Sequence, residues 1–272
     1  MKKFLITTLK FFLFFIGWSL LISLTPDIPT NNHVLLRLWW EFAPFLVIVL
    51  FSLFFTFIIE KNYIHISIFK NYFKNLVIGL LIGSIWLGIP LGVFIFTGIM
   101  KITTINKIDY IFIWILSSLL NVIMQELLIR GYLYQLLKYN YNSIIACIFT
   151  TILFTALHGG AFEAGIIPVL NIITMSIFMT IILEYTETLL APIVVHFIWN
   201  TLGCIIFGVV SLASDYPSLF SNTFTGSILI SGGIYKVEGS IIVLLINSLL
   251  ILIFFRLNKN KQHKNKRKPL SD

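Results

Sequence analysis

The sequence carries few charged residues. Of its 272 residues, 11% are Asp, Glu, Lys or Arg, whereas 58% are hydrophobic. Soluble domains carry about a quarter of their residues as charges. The mean hydropathy is +0.97, and apolar runs repeatedly exceed the roughly 18 residues that mark a spanning helix. This composition excludes an ordinary soluble enzyme and predicts an all-α protein, a polytopic bundle of transmembrane helices.

Cysteine is scarce as well. Cys147 and Cys204 are the only two cysteines, and both lie far apart in apolar segments, where cysteine behaves as a small hydrophobic residue. The sequence has no CxxC pair and no HExxH motif. These absences argue against a disulfide-stapled secreted domain and against the commonest metal-site signatures.

Apolar runs separated by polar breaks predict about eight spans. They cover roughly residues 4–24, 35–59, 73–100, 110–137, 143–158, 165–184, 189–212 and 239–256. Lys and Arg concentrate in alternate breaks, which predicts that both termini are cytoplasmic. The fifth run is short, and the "GGAFEAG" after it, residues 159–165, is predicted to be a tight turn.

Two patterns predict helix packing rather than chemistry. The third span contains the pairs Gly79/Gly83 and Gly88/Gly92, a spacing that lets a neighbouring helix approach closely. Arg37 and Glu41 lie four residues apart at the start of the second span. We expect them to pair on one helix face in a structural role.

The polar residues inside the predicted spans fall on three helices. They are Gln125, Glu126 and Arg130 in the fourth span, His158 at the end of the fifth, and His196 with Asn200 in the seventh. Ionisable groups inside a membrane are costly and commonly functional. A rise of about 1.5 Å per residue puts these groups near the middle of a bilayer about 30 Å thick. A lone His or Asn could be packing glue, but three helices at one depth favour a functional site.

The residue types indicate hydrolysis by an activated water molecule. Glu126 and Arg130 are four residues apart, so they share a helix face and can form an ion pair. A carboxylate and an imidazole can together hold and deprotonate water. A second imidazole and an amide can stabilise an oxyanion. No Ser or Cys is paired with an evident base, which argues against an acyl-enzyme.

Two other interpretations stay open at this point. Glu126, His158 and His196 could supply a His₂Glu zinc site, although the best hypothesis needs no cofactor. Glu126 could instead be the proton site of a proton-coupled transporter, although no inverted repeat is evident in the sequence.

Three motifs resemble the CPBP intramembrane proteases, also called the Abi family, which include the type II CAAX prenyl endopeptidases. The family carries EExxxR, FxxxH and HxxxN or HxxxD on separate helices of an eight-helix fold. This sequence reads "QELLIR" at 125–130, "FTALH" at 154–158 and "HFIWN" at 196–200. The resemblance covers roughly residues 110–212. It implies a glutamate-dependent peptidase in which His158 binds water and His196 and Asn200 form the oxyanion hole.

The resemblance divides the chain into three parts and suggests the partners. Residues 1–109 form N-terminal transmembrane helices, 110–212 the helices resembling the family's catalytic core, and 213–272 a long loop (213–238), the last span and a basic tail. The expected substrate is a membrane-associated peptide or protein at the cell membrane. The tail, with seven of the 19 Lys and Arg residues, is expected to bind anionic lipid headgroups rather than nucleic acid.

One residue departs from the family pattern. The first Glu of EExxxR, usually credited as the base, is Gln125 here, and an amide cannot deprotonate water. Glu126 is then the expected base, although its side chain points about 100° away from that of residue 125 around the helix. The alternative is a catalytically impaired member that binds a peptide, for example in bacteriocin maturation or self-immunity.

Overall fold

The protein is a bundle of helices. The computed structural model describes residues 1–210 and 216–266, with side chains described as far as Lys261. Within this range the helices are α1 (Lys2–Ser23), α2 (His33–Phe54), α3 (Tyr72–Phe96), α4 (Ile111–Glu126), α5 (Tyr134–Asn140), α6 (Ser143–Leu157), α7 (Gly159–Ala164), α8 (Ile166–Thr186), α9 (Leu190–Asn200), α10 (Ile228–Ser231) and α11 (Ile241–Lys266). The two strands are β1 (Met100–Ile105) and β2 (Phe220–Phe224).

Several helices continue without a break as π-helical turns. These turns are Phe55–Ile59 after α2, Leu127–Leu133 between α4 and α5, and Thr201–Ile206 after α9. Two of them begin directly after Glu126 and Asn200, which the sequence predicts as site residues. Single π-helical turns are rare and occur frequently at functional sites.

Six helical stretches of the described residues are long and apolar enough to cross a membrane. They are Lys2–Ser23, His33–Ile59, Tyr72–Phe96, Ile111–Asn140, Ile166–Thr186 and Gly233–Lys261. Ser143–Leu157 and Leu190–Ile206 are shorter apolar helices, at the positions of the fifth and seventh predicted spans. The predicted transmembrane helix bundle is confirmed, whereas the number of eight spans and the cytoplasmic termini stay predictions.

Close packing of α3 against α9 positions the helix that carries His196 and Asn200. A Cβ atom on Gly79 would lie 2.7 Å from Val194 Cβ, and one on Gly83 would lie 2.8 Å from Ile198 Cδ1. The two helices can approach this closely only because both positions are glycine. The first predicted glycine pair is confirmed.

The second glycine pair, Gly88 and Gly92, does not mark a helix interface. A Cβ atom on Gly88 would meet no atom within 4 Å, and one on Gly92 would meet only Phe96, a residue of the same helix. This part of the prediction was wrong, because the spacing of small residues does not reveal which face of a helix meets a neighbour.

Polar contacts inside the bundle hold α3, α8, α9 and α11 together. Trp86 Nε1 on α3 donates to Asn247 Oδ1 on α11 at 2.6 Å, and Asn247 Nδ2 donates to Thr174 Oγ1 on α8 at 2.9 Å. The Trp86 ring also stacks on Trp199 of α9, with ring centroids 4.0 Å apart. A buried amide and indole whose donors are satisfied fix the relative positions of these helices.

A two-stranded antiparallel ribbon joins two connections at one end of the bundle. Met100 of β1 pairs with Phe224 of β2, and Ile105 pairs with Phe220, with an irregularity between Ile102 and Thr104. The predicted long loop, 213–238, therefore contains a strand, the short helix α10 and most of a 3₁₀-helix at Gly233–Gly239. The strand was missed because its partner lies more than a hundred residues earlier in the chain.

One further sequence prediction is corrected by the structure, and others fall on residues outside the described ranges. The "GGAFEAG" segment is a short helix, α7, rather than a tight turn, because its Ala, Phe and Glu residues tolerate a helical turn once the segment is held between α6 and α8. The boundary between the second and third predicted parts, at residue 212, lies outside the described residues. So do Arg267 and Lys268 of the basic tail, and the side chains of Lys264 and Lys266 are also not described.

Candidate active site

A cavity of about 380 Å³ lies among α4, α6 and α9. Its lining includes four of the predicted site residues, Gln125, His158, His196 and Asn200. These residues come from three helices or their ends, up to 75 positions apart in the sequence (125 to 200). The structure thus brings them to one cavity, as their matching predicted depths suggested. The cavity is large enough to hold water and a segment of extended peptide.

Glu126 lies beside this cavity rather than in its lining. Its Oε1 accepts hydrogen bonds from Arg130 Nη1 and from His196 Nδ1, each at 2.9 Å. Glu126 and Arg130 are fully buried, and His196 is 2% exposed. The predicted ion pair between Glu126 and Arg130 is confirmed. The additional contact with His196 links the fourth-span motif to the seventh-span motif.

Arg130 also contacts residues of two neighbouring helices. Its Nη2 donates to the backbone oxygen of Ser176 at 3.1 Å and to Ser176 Oγ at 3.2 Å. Its guanidinium carbon lies 5.1 Å from the ring centroid of Phe154, within range of a cation–π interaction. Thr151 Oγ1 of α6 lies 3.1 Å from Ser176 Oγ of α8. The buried charge therefore organises three helices around the site.

His158 occupies the break between α6 and α7. Its backbone is non-helical, with φ −100° and ψ 56°, and its ring lies 4.3 Å from the Phe154 ring. Its Nδ1 is 2.7 Å from the backbone oxygen of Phe154, one of the carbonyls that the end of α6 leaves without a helical partner. A carbonyl oxygen can only accept, so Nδ1 carries the proton and a neutral His158 keeps an Nε2 lone pair.

The hydrogen bond to Glu126 determines which nitrogen of the His196 ring faces the cavity. The Glu126 carboxylate accepts from Nδ1, so Nε2 is the ring nitrogen left for the cavity. Asn200 lies one turn later on α9 and is half-buried in the cavity wall. The two side chains therefore present a ring nitrogen and an amide to the same space, as their spacing predicted.

Gln125 belongs to a polar chain that the sequence analysis missed. Gln125 Nε2 donates to Asn121 Oδ1 at 2.7 Å, and Asn121 Nδ2 donates to Glu41 Oε2 at 2.8 Å. Glu41 also accepts from Arg37, with which it forms the predicted pair, and from the hydroxyl of Tyr216. The spacing of Asn121 and Gln125, four residues on one helix, was a readable signal. Their contact with α2 was not.

The residues proposed for a zinc site do not fit a metal ion. Among residues 1–210 and 216–261, the part of the chain whose side chains the structure describes, no group of three His, Cys, Asp or Glu side chains is placed to hold one. His196 Nδ1 and His158 Nδ1 are both engaged in hydrogen bonds, and Glu126 is shared between Arg130 and His196. The remaining donors do not converge on one point, so no step below involves a metal.

Comparison with known proteins gives one match. The description of the matching family is Type II CAAX prenyl endopeptidase Rce1-like, and its model covers residues 107–202. No curated protein and no solved structure matches the chain. The matched range includes all six predicted site residues but excludes Glu41 and Tyr216. Over residues 107–202 the chain therefore matches the family of type II CAAX prenyl endopeptidases, as its three motifs predicted.

Proposed function

We propose that the protein is an intramembrane endopeptidase that hydrolyses a peptide bond with water bound in the cavity. The observation that carries this proposal is the convergence of Gln125, His158, His196 and Asn200 on one cavity. It is supported by the family match, which describes endopeptidases.

His158 is the best-placed base for the reacting water. Its Nδ1–H is tied to the backbone oxygen of Phe154, so its Nε2 can accept a proton as water attacks the substrate carbonyl. Gln125 holds the same water without deprotonating it. Glu126, which the sequence predicted as the base, is instead proposed to orient His196, because it lies outside the cavity lining and its Oε1 contacts both Arg130 and His196.

His196 and Asn200 are proposed to stabilise the tetrahedral intermediate. The oxyanion forms where the carbonyl oxygen was, and it accepts hydrogen bonds from the Asn200 amide and from His196 Nε2 when that nitrogen carries a proton. Donors held in place before the reaction cost little reorganisation when negative charge develops.

The second half of the reaction returns the proton. The carbon–nitrogen bond breaks as His158 donates the proton it took from water to the leaving amine nitrogen. The products are a new carboxylic acid and a new amine, which together hold both hydrogens of the water, and the site regains its initial protonation. The proposed substrate is a membrane-associated peptide or protein of the cell membrane in which the enzyme resides.

A second candidate function rests on Gln125. A catalytically impaired member of the family would bind a membrane peptide without cutting it, for example in bacteriocin maturation or self-immunity. The amide at position 125 favours this alternative because it removes the carboxylate that the family motif places there.

Analysis of new peptide N-termini in membranes separates the two functions. Cells expressing the native chain are compared with cells expressing His158→Ala, and His65→Ala serves as the matched control. His65 is exposed on the connection between α2 and α3 and does not line the cavity. All three proteins are quantified in the membrane, so that a difference in termini is not a difference in expression.

We expect new termini with the native chain and with His65→Ala, and their loss with His158→Ala. Loss of one general base commonly costs about 10²–10⁴-fold in rate, which is enough to remove the products. Identical termini in all three samples would reject the endopeptidase and leave the peptide-binding function, to be tested by co-purification of a bound peptide.

A further inference from the structure

The chain Glu41–Asn121–Gln125 runs from α2 to the cavity. Glu41 is 4% exposed, and its two oxygens are both used: Oε1 accepts from Arg37 and from Tyr216, and Oε2 accepts from Asn121 Nδ2. A carboxylate buried this deeply is stable only when its partners compensate the loss of hydration. Here the compensation comes from residues on α2, on α4 and in the connection before β2.

The charge of Glu41 sets the direction of every hydrogen bond that follows. A carboxylate can only accept, so Asn121 must present its NH₂ group to Glu41 and its Oδ1 to Gln125. Gln125 must then present its own NH₂ group to Asn121. The amide of Gln125 is therefore locked with its oxygen as the free end, although Gln125 itself never contacts Glu41.

The free oxygen of Gln125 is placed to accept a hydrogen bond. Gln125 Oε1 is buried and has no hydrogen-bond partner among the described residues, while the residue lines the same cavity as His158. A buried acceptor without a partner is unfavourable, so Gln125 Oε1 favours a ligand with an N–H or O–H group. Water held between His158 Nε2 and Gln125 Oε1 would satisfy both acceptors with its two hydrogens.

We infer that Glu41 is a positioning residue for the reaction. Through Asn121 it fixes the Gln125 amide so that Oε1 holds the reacting water for His158. The inference rests on the proposed function. It assigns a role to a residue that lies outside the matched family range, 107–202.

Reversing the direction of the hydrogen bonds between residues 41, 121 and 125 tests this inference by a measurement of activity. Glu41→Gln removes the charge and lets the amides of residues 121 and 125 turn, so we expect at least an about tenfold loss of product termini. Adding Gln125→Glu to that variant rebuilds the chain in reverse, with Asn121 donating to the new carboxylate and accepting from the new amide. We expect this double variant to regain native activity.

The single variant Gln125→Glu sharpens the test. It places carboxylates on both sides of Asn121, which can turn its NH₂ group toward only one of them, so we expect lower activity than in the double variant. If Glu41 merely holds Arg37 and Tyr216 in place, the single variant Gln125→Glu keeps those contacts and should be at least as active as the double variant. That result, or no recovery of activity in the double variant with both proteins folded in the membrane, would overturn the inference.

A second measurement is independent of catalysis. The sequence contains three glutamines, Gln125, Gln135 and Gln262, so glutamine labelled with ¹⁵N gives few side-chain amide signals in lipid nanodiscs. Gln125→Glu identifies the signal of Gln125 by its disappearance, and Gln135 is the internal control. We expect Glu41→Met to shift the Gln125 amide proton upfield, because its hydrogen bond to Asn121 is no longer enforced.

The two measurements fail in different ways. An inactive native chain would reject the proposed function, and the amide signal would still report whether Glu41 orients Gln125. An unshifted Gln125 signal in Glu41→Met would overturn the inference. Native activity in Glu41→Gln would overturn it as well, while leaving the endopeptidase in place.

Discussion

Two carboxylates in this protein have similar partners in very different surroundings. Glu126, inside the bundle, contacts Arg130 and His196 at 2.9 Å each. Glu187, in the connection between α8 and α9, contacts Lys70 at 2.5 Å and Lys261 at 2.6 Å. The side chains of the first group are at most 2% exposed, whereas those of the second are 35–50% exposed.

Contact distances therefore do not tell us which of the two groups contributes more to stability, whereas burial does. Exposed ion pairs are screened by water and salt and contribute about 0–1 kcal/mol. A buried pair gains little net energy when intact, since both charges lost their hydration, but breaking it strands a charge at a cost of about 3–5 kcal/mol. The buried group thus fixes the geometry of the site, while the exposed group fastens the ends of α3, α8 and α11.

The largest expected effect comes from Arg130→Met, which leaves the Glu126 charge with His196 as its remaining partner among the described residues. We expect the free energy of unfolding to fall by about 3–5 kcal/mol. Lys70→Met, the matched change in the exposed group, should cost no more than about 1 kcal/mol. Denaturant unfolding in mixed micelles measures both values.

A second change sharpens the comparison between the two carboxylates. Adding Glu126→Gln to Arg130→Met removes the stranded charge and should recover most of the lost stability, because the cost lies in the charge and not in the side-chain volume. A double variant that is even less stable than Arg130→Met would contradict this explanation of the buried group.

The next largest expected effect comes from close helix packing that involves no charge. A methyl group at Gly79 would lie 2.7 Å from Val194 Cβ, which is not the flexible end of a side chain, whereas one at Gly88 would meet nothing within 4 Å. We expect Gly79→Ala to cost about 1–3 kcal/mol by overpacking. Gly88→Ala should instead stabilise α3, by up to about 1 kcal/mol, through better helix propensity. Equal effects at the two positions in the same unfolding assay would refute the close contact of α3 and α9.

The smallest effect is the pH dependence of the exposed group. Hydrogen bonds from Lys261 and Lys70 lower the pKa of Glu187 to about 2 from its usual 4.5. A lowered carboxyl pKa contributes stability that is fully present above about pH 4.5 and is lost as the pH falls toward 2. Screening limits this contribution to about 1 kcal/mol or less. The difference in unfolding free energy between the native chain and Glu187→Gln should shrink over that pH range and with added salt, and a constant difference would argue against the ion pairs.

Local patterns predicted the parts of the site that lie on one helix. The ion pair of Glu126 with Arg130 and the shared direction of His196 and Asn200 both follow from a spacing of four residues. Composition predicted the helical bundle for a similar reason, because each spanning helix is one continuous apolar run.

Contacts between distant segments could not be read in the same way. The bond between Glu126 and His196 joins residues 70 positions apart, and that between Glu41 and Asn121 joins residues 80 apart. Nothing in either local sequence specifies the partner, so Glu41 was assigned only to its neighbour Arg37. The role of Glu126 as base stays a prediction, although its contacts favour an orienting role.

Hydrolysis by the purified chain in water labelled with ¹⁸O shows most directly whether the protein is an endopeptidase. Native protein and His158→Ala, each reconstituted in proteoliposomes, are mixed with membranes from cells that lack the protein, and the peptide termini are identified by mass spectrometry. We expect new peptide ends with the native chain alone, each new carboxyl group carrying one ¹⁸O atom. The same ends with both proteins, or no new ends with either one, would contradict the proposed function.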